Sequence, residues 1–181
     1  MDGKYRYNGR EYEMPKHGFA RHSVFALKEQ SEDSMTFSLA SSDETRKCYP
    51  FEFELLIKYS VSGHTLRCTS TVINKTDGEM YFSIGAHPGF NCRIGDAIEF
   101  EKGKNLRTMR IDSSSILMDE TFPVELENGR TIRLTEHIFD KDALILEGLN
   151  SESLRLVSGD RTVKFTFGKA PYLGIWAKPN A

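Results

Sequence analysis

Apolar residues in this chain recur at every second position, the period of a half-buried β-strand. Tyr5 and Tyr7 alternate with charged neighbours, Asn8-Gly9 follows, and Tyr12 and Met14 resume the alternation. Asn-Gly between two such runs predicts a hairpin, because both residues tolerate the positive φ its tight turn demands. A second hairpin is predicted from residues 23–30 and 34–41, around Ser31-Glu32-Asp33. The clearest strand comes next. Phe51, Phe53, Leu55, Ile57, Tyr59 and Val61 share one face, opposite Glu52, Glu54, Lys58 and Ser60, with Leu56 the exception. Gly63-His64 turns it into residues 65–74, where Leu66, Cys68, Ser70 and Val72 alternate. After a polar turn at 75–78, a strand over 79–84 is expected to lead into a loop that carries His87.

The later half predicts shorter strands at 97–101, 106–111, 130–134, 143–146, 153–157, 162–167 and 172–177, with one helical turn at 137–141. No segment carries a long apolar period of 3.6 residues. About a dozen short strands separated by turn signals define an all-β fold with little helix, an antiparallel sandwich or barrel. The 181 residues suit a single domain, 1–181, with a sizeable core.

Composition narrows the functional classes. A net charge of −2 without a basic run or zinc-finger spacing points away from nucleic acid. No window approaches the roughly 20 apolar residues of a membrane-spanning helix, so no membrane partner is expected. The three cysteines, Cys48, Cys68 and Cys92, are far apart and lack metal-binding spacing. They read as reduced thiols, which places the expected location in the cytoplasm.

Candidate chemistry concentrates in loops. His87 sits in Gly85-Ala86-His87-Pro88-Gly89-Phe90-Asn91, and His17 in His17-Gly18-Phe19-Ala20-Arg21. An imidazole held among Gly, Pro and an aromatic ring is a presented side chain, and histidine moves protons near neutral pH. Asp142 stands at the mouth of a predicted strand, in Asp140-Lys141-Asp142-Ala143-Leu144. Each residue also has a plain structural reading. A histidine beside Gly and Pro can simply satisfy a turn, and Asp142 can cap one. His22, His64 and His137 read as solvated, and the tyrosines as strand-face residues.

Four segments in order resemble the aldose 1-epimerase (galactose mutarotase) family. They are His17-Gly18-Phe19-Ala20-Arg21, the seven residues around His87, Asp142-Ala143-Leu144-Ile145, and Pro171-Tyr172-Leu173-Gly174-Ile175-Trp176-Ala177-Lys178-Pro179. They cover nearly the whole chain and are most similar to the bacterial branch with a His-Gly-Phe-Ala-Arg motif. The resemblance implies a large antiparallel β-sandwich of the galactose mutarotase-like supersandwich type. It implies interconversion of the α and β anomers of free aldoses by acid/base ring opening, with a hexose as partner and no metal or organic cofactor. By motif, His87 matches the acid at the ring oxygen, and His17 the histidine that hydrogen-bonds substrate nearby. Asp142 matches the aspartate that grips sugar hydroxyls. Arg21 matches the motif arginine, with an orienting role. Trp176 offers either an apolar face for a sugar ring or a core side chain.

Two departures from the family pattern shape the expectations. The family's base is a glutamate in a Glu-Pro context beyond the Trp176 segment, and none of the 181 residues matches it. Family members also carry further residues before the first hairpin, so the chain resembles a member shortened at both ends. Missing strands leave open sheet edges and apolar faces, which invites a homodimer. A missing base removes a contribution of about 10²–10⁴-fold in rate. Two further readings follow, a catalytically inactive carbohydrate-binding sandwich and a hexose-6-phosphate 1-epimerase.

Overall fold

A computed structural model describes residues 3–103, 105–112 and 116–178, so Pro179 of the closing motif lies outside the described residues. Two compact units emerge, residues 1–86 and 87–181.

In the first unit the predicted hairpin forms from β1 (Lys4–Tyr7) and β2 (Arg10–Glu13). Asn8 and Gly9 take φ of 48° and 76°, the mirror-image turn that the Asn-Gly pair favours. A single 3₁₀ turn, Ala20–His22, precedes β3 (Ala26–Gln30) and β4 (Ser34–Ala40). Helix α1 (Asp43–Cys48) then leads to β5 (Phe53–Ser62) and β6 (Thr65–Asn74). Strands β3 to β6 lie in sequence order in one antiparallel sheet.

The register explains the alternation. Leu39 faces Leu55 and Leu55 faces Val72, while Met35 faces Tyr59 and Val61 faces Leu66, all on one side of the sheet. Leu39 and Phe53 bury that side at one end, whereas Met35, Tyr59, Val61 and Leu66 stay exposed at the other. Strand β6 forms the sheet edge.

Helix α1 has no apolar stripe, so periodicity misses it. Local caps specify it instead: Ser42 and Thr45 exchange side-chain and backbone hydrogen bonds at its start. Arg46 bridges Asp43 and Glu52.

The expected strand at 79–84 does not form. These residues join no ladder, and Tyr81, Phe82 and Ile84 are exposed. An alternating pattern makes a strand only beside a free edge that it can pair with. Here side chains hold the segment, with the Tyr49 hydroxyl donating to the Tyr81 carbonyl at 2.8 Å.

The second unit contains two antiparallel sheets. One is ordered β10-β7-β12-β13, from Thr131–Arg133, Ala97–Phe100, Ser153–Ser158 and Arg161–Thr166. The other is ordered β14-β11-β8-β9, from Tyr172–Ile175, Leu144–Glu147, Arg107–Ile111 and Leu117–Pro123. Strand β9 carries Asp119-Glu120 mid-strand and breaks the alternation, which hides it in the sequence. Residues 137–141 form successive turns and no helix. Asp140 bonds back to the His137 carbonyl and Asp142 to that of Phe139, each three residues away, and the positive φ of Asp142 ends the run.

Both sheets feed one core. Ile98, Phe100, Ile132, Leu154 and Leu156 from the first meet Leu146 from the second, with Leu144, Leu173 and Ile175 packed around them. Leu146 is completely buried (0% exposed). Leu146→Ala is therefore expected to destabilise this unit by about 2–5 kcal/mol. Leu66→Ala, on the exposed end of the other unit's sheet, should change stability by less than about 0.5 kcal/mol. Urea denaturation followed by far-ultraviolet circular dichroism and tyrosine fluorescence measures both.

Candidate functional site

The four motif residues all lie on exposed loops, and each loop has a neighbouring aromatic or aliphatic side chain in contact with the sheets or the core. In the first unit, Pro15, Lys16, His17 and Gly18 form a turn closed by the Gly18 N–H on the Pro15 carbonyl at 2.9 Å. His17 occupies its third position with φ of 70°. A type II turn needs positive φ there and normally uses Gly or Asn. Two residues on, Phe19 packs its ring against Tyr49 and Phe53, both at 5.8 Å between centroids. Tyr49 and Phe51 extend this aromatic cluster to Tyr7. Phe19 thus anchors the loop while His17 and Arg21, on either side of it, face solvent.

His87 opens the second unit, exposed, in a segment without regular structure. Again a phenylalanine follows: Phe90 meets Phe165 edge-on at 5.6 Å, and Phe165 contacts Phe167 at 6.1 Å. Arg161 donates from its guanidinium to the Asn91 carbonyl. The Arg93 N–H donates to the Asp96 carboxylate at 2.7 Å. A hydrogen bond from Ser158 is the main cause that lowers the Asp96 pKa, helped by the Arg93 amide and the charges of Arg93 and Arg161.

Asp142 also has positive φ, 72°, and its carboxylate accepts the Ala143 N–H at 2.7 Å. Its loop is pinned by Ile138 and Phe139, which pack on the core. The same loop displays His137, whose Nδ1 lies 3.0 Å from the Asp140 carboxylate. Asp142 thus precedes β11 in one sheet, while the His87 loop is tied to the β12–β13 hairpin of the other. His17 and Arg21 belong together on one loop.

Trp176 follows β14 and is half exposed (50%), so the core role is corrected. The strand ladder ends at Ile175, one residue before it. Glu147 is engaged by the Tyr172 hydroxyl, whose pKa this hydrogen bond raises. Among the described residues, no group of three or more His, Cys, Asp or Glu could hold a metal ion. Sequence reasoning misses Arg161, Phe165 and Asp96. Each lies in an ordinary strand or turn and gains meaning only through the loop packed against it.

The antiparallel sheets define a β-sandwich protein of the galactose mutarotase type. A galactose mutarotase-like protein from Lactobacillus casei ATCC 334 superposes with a TM-score of 0.89 at 25% identity, over 99% of this chain and 64% of its own. A galactose mutarotase related enzyme from Lactobacillus acidophilus gives 0.82 at 26% identity, over 97% and 61%. The aldose 1-epimerase family profile matches residues 1–180, and the chain belongs to that family. Protein LacX of Lactococcus lactis subsp. lactis is 32% identical over 91% of this chain and 59% of its own length. A putative glucose-6-phosphate 1-epimerase of Salmonella typhimurium is 37% identical over 46% of this chain and 27% of its own. The chain spans about three fifths of the length of the LacX and mutarotase-like relatives it matches.

Two measurements probe the loops themselves. A side chain held at left-handed φ stores roughly 1–2 kcal/mol. His17→Gly relieves it at some cost in unfolded-chain entropy, so a net gain of about 1 kcal/mol is expected in urea titration. The depressed pKa of Asp96 means that its hydrogen bonds favour the folded loop above the ordinary aspartate range. That contribution is lost as pH falls through the lower folded value. The Arg93 amide proton should therefore shift with a midpoint below about 3.9 in an NMR pH titration.

Proposed function

We propose that this chain carries the sugar-binding groups of an aldose 1-epimerase of the His-Gly-Phe-Ala-Arg branch, acting on a free hexose in the cytoplasm. The observation that carries this reading is the display of His17, Arg21, His87 and Asp142 on exposed, sheet-anchored loops of an aldose 1-epimerase family fold.

The reaction is proton transfer. His87 gives a proton to the ring oxygen while a base removes the proton from the hydroxyl on C1. The ring C–O bond breaks, the aldehyde carbon rotates, and closure from the other face returns both protons. His17 donates a hydrogen bond to the sugar. Asp142 accepts from sugar hydroxyls, which its free carboxylate oxygen is suited to do. Arg21 orients the substrate or its neighbours through its planar fork of donors.

Two other readings are a carbohydrate-binding protein without turnover and a hexose-6-phosphate 1-epimerase. Similarity to a putative glucose-6-phosphate 1-epimerase of Salmonella typhimurium supports the second.

Polarimetry of freshly dissolved glucose or galactose separates the readings. The enzyme reading expects faster anomer exchange than buffer, reduced about 10²–10⁴-fold by His87→Asn. Sugar binding by NMR titration with an unchanged exchange rate identifies the inactive binder. Strong competition by glucose 6-phosphate identifies the phosphorylated substrate. An exchange rate that His87→Asn leaves unaltered overturns the role given to His87.

A further inference from the structure

At residues 90–93 the loop that presents His87 is tied to the β12–β13 hairpin or its base, and further on Gly95 and Asp96 bond to Leu134 and Arg133. Phe90 packs edge-on against Phe165 of β13. Arg161, the first residue of β13, donates to the Asn91 carbonyl. Asp96 links the Arg93 N–H to Ser158, which faces Arg161 in the β12–β13 register. These contacts act within six residues of His87, on its C-terminal side. Residues 85–89 have no ladder of their own. The hairpin itself is well founded, since its six register pairs run from Ser153–Thr166 to Ser158–Arg161 and Leu154 and Leu156 lie in the core.

We infer that Arg161, together with Phe165, is a positioning residue for His87. The guanidinium and the ring fix the backbone from Phe90 to Asn91 against β13 and so set where the imidazole stands. This inference rests on the proposed role of His87 for its catalytic consequence, but not for its structural one. A cation is suited to the task. Its hydrogen bond to a carbonyl is charge-assisted and its planar fork is directional, whereas an exposed loop tied by a neutral bond alone would compete with water. The aromatic contact adds area without fixing direction. A proton donor displaced by about 1 Å loses roughly 10²-fold in rate, so the tie has a kinetic consequence without touching substrate.

Three variants test it in the full chain: Arg161→Ala, Arg161→Lys and Phe165→Leu. The first readout is backbone ¹⁵N relaxation at His87, Gly89, Phe90, Asn91 and Cys92. Arg161→Ala is expected to raise the fast motion of these amides. Arg161→Lys should restore part of the order, because it keeps a charged donor. Phe165→Leu should loosen Phe90 while leaving the β12–β13 amide pattern intact. The second readout is anomer exchange, where Arg161→Ala should lower kcat roughly ten- to a hundredfold with KM nearly unchanged.

Unchanged relaxation in Arg161→Ala overturns the inference, whatever the activity. If Arg161→Ala loses the β12–β13 amide pattern, Phe165→Leu and Arg161→Lys decide, and a loop as ordered as in the parent in both refutes it. An exchange rate insensitive to His87→Asn refutes the proposed function alone, because the loop measurements stand without it.

Discussion

Two phenylalanines tie the exposed His17 and His87 loops of this protein to its sheets. Phe19 and Phe90 each follow a presented histidine by a few residues, and each drives its ring into an aromatic neighbourhood on a sheet or its border. Loops pay conformational entropy for every residue they fix, about 1–2 kcal/mol of backbone freedom each. Each ring offsets part of that cost through the apolar area it covers, Phe19 partly buried and Phe90 still 43% exposed. Without such an anchor, His17 and His87 would sit on chain that samples many conformations. With it, a short stretch on either side of the ring is held, and the imidazole can be exposed and still have a place.

The sheets supply what the anchors need. Long antiparallel ladders satisfy backbone donors and acceptors internally, so their ends can carry irregular loops at low cost. In the second unit the two sheets close on Leu146, Phe100 and Ile132, and the same core takes Ile138, Phe139 and Phe165 at its margins. Those marginal residues are the ones that reach into the candidate loops. Ile138 and Phe139 hold the turn before Asp142, and Phe165 holds the loop after His87. Packing and presentation are thus done by neighbouring residues of the same short segments.

Backbone conformation marks the same places. His17 and Asp142 adopt left-handed φ, while the other non-glycine residues that do so among the described residues are Asn8, Asn105 and Asn128. Histidine gains nothing from that region sterically, so its presence there is a local conflict between propensity and fold. Such conflicts concentrate where a side chain is needed for something other than stability. Asp142 has a milder version, because a short carboxylate bonds its neighbouring amide.

Period-two alternation determined the all-β class, the Asn8-Gly9 hairpin and the pairing of β5 with β6 before any coordinates, because side chains alternate between faces whatever partner a strand finds. The motifs around His17, His87 and Asp142 were equally legible, since Gly, Pro and Phe next to a titratable group are local signals. Tertiary structure decided what local patterns leave open. It denied a ladder to residues 79–84, because a strand exists only if an edge meets it. It formed α1 through caps and not through an apolar stripe, and it left Trp176 half exposed past the end of β14. It also brought Arg161 to the Asn91 carbonyl across 70 residues of sequence. No reading of the chain alone reveals that contact, because its energy lies in a geometry the two residues share only once β13 has folded.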